Sequence, residues 1–221
     1  MNKEGGGFEF DNSFARTMEG FYVRAKAAKF PAPKIVLFNG PLARQLGVDA
    51  KNLNTPAGAE LLCGNVIPQG ADPLSQAYAG HQFGGFSPRL GDGRAMLLGE
   101  IIDTSRQRQD LQLKGSGRTE FSRGGDGRAA LGPVLREYIM GEAMHNLGIA
   151  TTRALAAVTT GESIEREGAK QGAVLVRVAA SHLRVGTFQY FAARGDVEKV
   201  QQLADYAIER HYPELKDANN K

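Results

Sequence analysis

Four segments of the chain have the apolar content and length of β-strands: residues 94–102, 110–114, 151–159 and 173–179. In the second segment, leucines alternate with Gln112 and Lys114. The two polar side chains are therefore predicted on one face of the strand and the leucines on the other. The fourth segment is almost continuously apolar, which is typical of a central strand.

Helical patterns lie between and after these strands. Residues 131–147 are predicted as a helix, with Pro133 in its first turn and Gly148 just past its end. Residues 182–193 and 196–211 are predicted as two further helices. The order strand, strand, helix, strand, strand, helices predicts an α+β fold with a mainly antiparallel sheet.

The first third of the chain is predicted to be irregular and helical. Residues 18–29 are predicted as a helix that ends before two prolines. Residues 41–77 are predicted as short helices and loops, because prolines interrupt them.

The composition is that of an ordinary globular protein and narrows the possible partners. Hydrophobic residues make up 42% and charged residues 23%, and the net charge of +3 is too small to indicate nucleic acid. A single cysteine, Cys63, excludes an intrachain disulfide and a cysteine-rich zinc site. No apolar run reaches the roughly 20 residues that span a bilayer, and the N-terminus lacks the apolar core of a secretion signal. We expect a cytoplasmic protein with no membrane and no nucleic-acid partner.

Glycine and arginine are concentrated in residues 78–128, which hold eleven of the chain's 28 glycines and seven arginines. Glycine lets the backbone approach a ligand closely, and arginine together with exposed N–H groups binds phosphate. Gly91, Gly93 and Arg94 lie directly before a predicted strand, where free N–H groups can face phosphate oxygens. The same pattern also suits an ordinary hairpin turn, so the pattern alone leaves both interpretations open.

Lys114 ends a predicted strand, and Glu137 lies near the start of the predicted helix that follows. Protein kinases pair a strand lysine with a helix glutamate to aim the lysine at phosphates. This placement predicts an ion pair between Lys114 and Glu137 in a phosphate-binding cleft. The sequence leaves two alternatives open, a solvated lysine and a pairing with Glu142.

Arg177 interrupts an apolar strand, where a buried charge needs a partner or a bound anion. Arg184 follows seven residues later, and the two arginines are predicted to converge on one anion. A structural ion pair is the alternative for Arg177. Asp126 and Gly127 belong to a flexible loop before the first predicted helix of this region. The four histidines have no metal-ligand spacing.

Three long segments of the sequence resemble the selenoprotein O family: YAGHQFGGFSPRLGDGRA, LQLKGSGRTEFSRGGDGRAALGPVLREYIMGEAMHNLGI and VLVRVAASHLRVGTFQ. They occur in the family's order, and the resemblance runs from about Phe8 to the C-terminus. It implies a protein-kinase-like fold that binds ATP in a flipped orientation and transfers AMP to Ser, Thr or Tyr hydroxyls of proteins. The resemblance implies three segments. Residues 1–77 are an N-terminal extension, residues 78–180 are a nucleotide-binding lobe with an αC-like helix, and residues 181–221 are the helical start of a truncated C-terminal lobe.

The resemblance also implies roles for the residues singled out above. Lys114 corresponds to the family's nucleotide-binding lysine and Glu137 to its helix partner. The other implied nucleotide-binding positions are Gly91, Gly93, Arg94, Asp126, Gly127, Arg177 and Arg184. The last two are expected at the terminal phosphates of the flipped nucleotide.

Family members continue well past this point, and the resemblance places the catalytic aspartate and the magnesium ligands after residue 221. The chain is therefore expected to be an N-terminal fragment that does not transfer AMP by itself. A non-catalytic, pseudokinase-like ATP-binding module is the alternative interpretation of the same residues. A nucleic-acid binder is a third, but residues 104–130 hold one aromatic residue, Phe121, and base stacking needs more.

Overall fold

The computed structural model describes residues 7–215, which form seven α-helices, ten β-strands and a short 3-10 helix at Pro213–Leu215. The helices are α1 (Ser13–Thr17), α2 (Gly40–Gln45), α3 (Ala50–Leu53), α4 (Pro56–Cys63), α5 (Leu131–Asn146), α6 (Val185–Ala192) and α7 (Val197–His211). The strands are β1 (Tyr22–Arg24), β2 (Lys34–Phe38), β3 (Leu74–Gln76), β4 (Gly80–Gln82), β5 (Gly85–Ser87), β6 (Ala95–Ile102), β7 (Arg108–Lys114), β8 (Ala129–Ala130), β9 (Arg153–Arg166) and β10 (Gly168–Ala179). Within this range, no helix has both the length and the apolar content needed to cross a membrane.

Eight of these strands form one sheet, and their pairings are antiparallel. The strand order is β1-β3-β6-β7-β10-β9-β2, with β8 paired to β10. β4 and β5 form a separate hairpin in the connection between β3 and β6. The predicted mainly antiparallel sheet is therefore confirmed. Strands β1, β2 and β3, from the first 77 residues, extend the sheet that residues 78–180 form.

One face of the sheet is covered by the short helices α2, α3 and α4. Leu53 and Leu62 of these helices join Leu113 of β7 and Val176 of β10 in the largest apolar cluster. All four side chains are at most 2% exposed. The alternation predicted for β7 places its leucines on this covered face, as the period of a strand requires.

The opposite face of the sheet is covered by two separate groups of helices. α5 packs Val134 against β9 and β10. α1, α6 and α7 gather around Leu97 of β6, where Phe191 and Leu203 are buried. Lys114 of β7 reaches α5 on this side, so the polar residues of β7 lie on the face that these helices share.

Helix α5 confirms the helix predicted over residues 131–147, and Gly148 after it has a positive φ of 76°. Strands β9 and β10 are longer than the sequence predicts, because they continue as a hairpin that pairs Arg166 with Gly168. Apart from the buried Ile164, that extension is mostly polar and exposed, so it lacks the apolar content by which the inner halves of the strands were identified.

The helix predicted over residues 18–29 is wrong. Gly20 has a φ of 88°, which departs from the helical path. Phe21, directly after it, is fully buried in the cluster around Leu97. The next three residues form β1, which pairs with β3 at the edge of the sheet. Burial of one aromatic ring and strand pairing therefore outweigh the local helical propensity.

Candidate functional site

A cleft of about 470 Å³ lies beside the end of β7. The structure brings together in its lining all eight residues that the sequence singled out for nucleotide binding: Gly91, Gly93, Arg94, Lys114, Asp126, Gly127, Arg177 and Arg184. The cleft is also lined by residues that the sequence did not indicate, among them Tyr78, Gln82, Asp92, Phe121 and Arg123. What the cleft binds stays a prediction.

The loop before β6 packs closely because two of its residues are glycine. Gly91 has a φ of 59°, and a Cβ atom there would lie 2.1 Å from Cγ of Phe121. A Cβ atom on Gly93 would lie 2.6 Å from the carbonyl oxygen of Phe121. Any side chain at either position would therefore push the loop off Phe121. The hairpin of this region is formed by β4 and β5 rather than by the Gly-Asp-Gly sequence.

Asp92 lies between these two glycines and is 1% exposed. Its Oδ2 accepts hydrogen bonds from the backbone N–H of Gln76 at 3.1 Å and from Nε2 of Gln112 at 3.3 Å. Burial raises the pKa of Asp92 above its ordinary value. The acid thus ties the glycine loop to β3 and β7. Its sequence signal was weak, since an aspartate beside glycine is equally typical of a turn.

Lys114 and Glu137 form the ion pair that the sequence predicts, with Nζ 2.5 Å from Oε2. The lysine ends β7 and the glutamate lies in the second turn of α5. Burial and the nearby charge of Arg177 lower the pKa of Lys114. Burial opposes ionisation of Glu137, but the charges of Arg177 and Lys114 outweigh it and lower the pKa of the carboxyl. The role of the pair in orienting phosphates stays a prediction.

Glu142, the alternative partner, is engaged elsewhere. Its carboxylate accepts two hydrogen bonds from Arg153, at 2.9 and 2.8 Å. It also accepts from the backbone N–H of Ala154 at 3.0 Å and from Nδ2 of Asn39 at 2.8 Å. Glu142 therefore holds α5 to the start of β9 and is not the ion-pair partner of Lys114.

Arg177 shares the carboxylate of Glu137 with Lys114. Its Nε lies 2.5 Å from Oε1 of Glu137, and its NH1 lies 3.0 Å from Oε1 of Gln112. Arg177, a charged residue in an apolar strand, thus forms a structural ion pair, which is the alternative that the sequence left open. The same side chain also lines the cleft, so the ion pair and an anion contact are compatible.

Arg184 and Arg94 are exposed and line the cleft. Within residues 7–215, neither has a carboxylate at ion-pair distance. The guanidinium of Arg184 lies 4.8 Å from the centre of the Tyr78 ring. Burial raises the pKa of Tyr78 to about 12, so this ring stays neutral. Two charges in the cleft are therefore not neutralised by acids in the described part of the chain.

Asp126 is paired with a cation. Its two carboxylate oxygens lie 2.8 and 2.9 Å from the guanidinium of Arg166, and that hydrogen bonding lowers the pKa of Asp126. Gly127 beside it has a φ of 68°, and a Cβ atom there would lie 2.0 Å from the carbonyl oxygen of Gly117. Gly127 is thus required by the close approach of two loop segments, and the predicted nucleotide contact of Asp126 stays a prediction.

The described residues contain no group of three or more His, Cys, Asp or Glu side chains that could hold a metal ion. The acids at or beside the cleft, Asp92, Asp126 and Glu137, are each bound by amide N–H groups or by cations. Residues 7–215 therefore do not fit a magnesium site.

The described residues thus combine an antiparallel sheet with a glycine-lined cleft on which cationic side chains converge. A sequence model of the family described as "Protein adenylyltransferase SelO" matches residues 7–221. The chain belongs to this family, and the resemblance carried by its three long segments is confirmed.

Curated relatives carry the name "Protein nucleotidyltransferase YdiU". One from Cereibacter sphaeroides is 67% identical over 212 residues, which are 96% of this chain and 44% of the relative. The one from Nitrobacter hamburgensis is 64% identical, over 96% of this chain and 42% of its own length. The one from Rhizobium leguminosarum bv. trifolii is 60% identical, over 99% of this chain and 44% of its own length. The chain therefore spans less than half the length of these relatives.

Proposed function

We propose that this chain is the nucleotide-binding part of an ATP-dependent protein adenylyltransferase. In this proposal the whole enzyme transfers AMP to Ser, Thr or Tyr hydroxyls of proteins, and residues 78–180 form the nucleotide-binding lobe. The observation that carries the proposal is the convergence of Lys114, Arg177, Arg184 and Arg94 on one glycine-lined cleft. Family membership supports it, because the family is described as a protein adenylyltransferase.

The pairing of Lys114 with Glu137 supports a kinase-like arrangement of this lobe. A lysine at the end of a strand is held by a glutamate from the helix packed on the same sheet. Protein kinases hold their phosphate-binding lysine in this way. We propose that α5 corresponds to the αC helix of kinases and that Glu137 aims Lys114 at the phosphates of ATP.

We propose that the arginines hold the leaving group. In AMP transfer, the acceptor hydroxyl oxygen attacks the α-phosphorus, the bond from that phosphorus to the bridging oxygen breaks, and pyrophosphate leaves with those electrons. The hydroxyl proton passes to a base that we do not assign within this chain. A flipped ATP would direct its β- and γ-phosphates at Arg177 and Arg184, and each charge-assisted contact is worth about 1.5–3 kcal/mol.

Magnesium is the ion expected for nucleotidyl transfer, where it neutralises phosphate charge. Since the described residues do not fit such a site, we derive no step through the metal. We propose that its ligands belong to the part of the family sequence that follows residue 221.

The test is a structure of the chain with a non-hydrolysable ATP analogue, together with a transfer assay on the full-length protein. We expect the terminal phosphates against Arg177 and Arg184, and AMP on acceptor hydroxyls. Terminal phosphates directed out of the cleft, with phosphate rather than AMP transferred, would contradict the proposal. ATP binding by a full-length protein that transfers nothing would indicate the non-catalytic module instead.

A further inference from the structure

Three polar side chains alternate along β7, and each is bound to a different part of the molecule. Lys114 pairs with Glu137 of α5, and Gln112 is bonded to Arg177 of β10. Asp110, four residues before Lys114, is 2% exposed and does not line the cleft. Asp110 has no role in the proposed function, although burial of a carboxylate is unfavourable unless hydrogen bonds and a cation compensate for the lost water.

Asp110 lies in a buried cluster of charges. Its Oδ1 accepts a hydrogen bond from NH2 of Arg210 in α7 at 2.6 Å. Arg210 also pairs with Glu100, which faces Asp110 across strands β6 and β7. The side chains of Arg210, Glu100 and Asp110 are 5%, 1% and 3% exposed. Two adjacent buried acids thus share Arg210, while Arg108 lies 3.8 Å from Glu100 and the His182 ring lies 3.3 Å from Asp110.

The second oxygen of Asp110 holds the segment that carries Arg184. Its Oδ2 accepts a hydrogen bond from the backbone N–H of His182 at 2.7 Å. Arg210 reaches the same segment, because its Nε donates to the carbonyl oxygen of Ala180 at 2.9 Å. Residues 180–184 connect β10 to α6, and these bonds fasten their backbone two and four residues before Arg184.

Inside the cleft, the contacts of the Arg184 side chain do little to fix its position. No carboxylate in residues 7–215 pairs with its guanidinium, which contacts the ring of Tyr78. Its backbone N–H donates to Oγ1 of Thr187 at 3.2 Å, a bond within the first turn of α6. The distance of Arg184 from Arg177 therefore depends on the backbone of the connecting segment before it and on the bond from the N–H of Ala79 to the carbonyl oxygen of Gly186 after it, at 2.8 Å.

We propose that Asp110, held by Arg210, is a positioning residue that sets Arg184 against Arg177 at the phosphate end of the cleft. This inference rests on the proposed function of the two arginines. It assigns the buried cluster of Asp110, Arg210 and Glu100 a part in nucleotide affinity in addition to its part in stability.

A double-mutant cycle in the 221-residue chain tests the inference, with ATP affinity measured by titration and folding by thermal melting. Arg184→Ala is expected to weaken ATP binding about tenfold or more. Asp110→Asn keeps the shape but removes the charge, and is expected to weaken binding about threefold to tenfold. In the double variant, Asp110→Asn should add less than about a twofold further loss, because the side chain that it positions is already gone.

Arg153→Met is the matched control. It breaks another partly buried ion pair, with Glu142, and should lower the melting temperature while leaving ATP affinity unchanged. If Asp110→Asn does not fold, Arg210→Lys replaces it in the cycle. A lysine keeps the charge but cannot donate to Glu100, Asp110 and Ala180 together, so the same non-additive loss is expected.

Additive losses, or an Asp110→Asn variant with normal ATP affinity, would overturn the inference and leave the proposed function standing. If Arg184→Ala itself binds ATP normally, the arginine clamp and the inference both fail. A lower melting temperature alone, matching that of Arg153→Met, would show that the cluster is only structural and would overturn the inference as well.

Discussion

A single carboxylate, that of Glu137, determines the position of two cations at the cleft. It accepts from Lys114 on one oxygen and from Arg177 on the other. Arg184 has no such partner in residues 7–215 and is exposed, whereas Arg177 is bonded on two sides. The two arginines therefore differ in what each contributes to folding, although both line the cleft.

Replacement of these arginines by alanine should separate affinity from stability. Arg184→Ala should weaken ATP binding by about 1.5–3 kcal/mol while the melting temperature stays close to that of the parent chain. Arg177→Ala should lose similar affinity and also melt lower, because Oε1 of Glu137 and Oε1 of Gln112 then lose the guanidinium that binds both. Nucleotide titration and thermal melting measure the two effects. Arg16→Ala, on an exposed ion pair in α1, is the control and should change neither. Normal ATP binding by Arg184→Ala would contradict the clamp.

The depressed pKa of Glu137 predicts a pH dependence of stability. Folding lowers this pKa from an ordinary value of 4.5, so the ion pairs stabilise the fold fully above that pH. Their contribution is lost as the pH falls below about 4.5 and the folded carboxyl takes up its proton. Glu137→Gln should therefore be about 1–3 kcal/mol less stable at pH 7, and this difference should shrink towards about pH 3. Urea unfolding of both chains across this range measures it.

Glu165→Gln, at an exposed position on the β9 extension, is the control for that series and should match the parent chain at every pH. A stability difference for Glu137→Gln that does not change with pH would show that loss of shape, rather than loss of charge, causes it.

At the residue scale, the sequence motifs predict residues that line the cleft, but they do not predict the hydrogen bonds that hold these residues in place. Lys114 and Glu137 could be predicted because a strand and a helix with clear patterns carry them. The roles of Asp92 and Gln112 could not be predicted, because they come from contacts between residues far apart in the sequence. Gln112 bonds to Asp92 and to Arg177, which lies 65 residues after it. Local sequence does not report such distant contacts.

The elements differ in how strongly their own sequence determines them. β6 has the apolar content of a strand, β7 alternates leucines with polar residues, and α5 is bounded by Pro133 and Gly148, and the structure contains all three close to their predicted bounds. The three-residue strands β1, β3, β4 and β5 are too short to show a period. The helix predicted over residues 18–29 failed for a related reason, since Phe21 is drawn into a core built from distant segments.

The glycine loop before β6 allows a test at this scale. Gly91→Ala should destabilise the chain by about 1–2 kcal/mol from the positive φ and by about 1–3 kcal/mol more from overlap with Phe121. It should also weaken ATP binding, because the loop moves. Gly84→Ala is the matched control, since Gly84 has a φ of 79° in the β4–β5 hairpin but nothing within 4 Å of its Cβ position.

Chemical unfolding and ATP titration of both variants give the comparison. Gly84→Ala should show only the cost of the positive φ and should bind ATP normally. Equal destabilisation by the two substitutions would mean that the contact with Phe121 is unimportant for the loop.

At the scale of the whole molecule, the chain covers 44% of a relative from Cereibacter sphaeroides. We expect the 221-residue chain to bind ATP but to transfer no AMP, because each acid at its cleft is already held by a cation or an amide. Incubation with labelled ATP, magnesium and a generic protein acceptor should leave the acceptor unlabelled, whereas the full-length protein should label it. Labelling by the 221-residue chain alone would place catalytic residues within it.

The buried cluster at Arg210 has a consequence for how the chain folds during synthesis. Arg210 follows Asp110 by 100 residues and Glu100 by 110 residues. A ribosome therefore releases both acids long before Arg210, the one arginine of residues 7–215 that pairs with both of them. Neighbouring carboxylates resist burial without a cation, so β6 and β7 should stay loosely packed on the nascent chain. The sheet should therefore pack fully only after α7 has left the ribosome. We expect this part of the family sequence to fold late and as one unit rather than strand by strand.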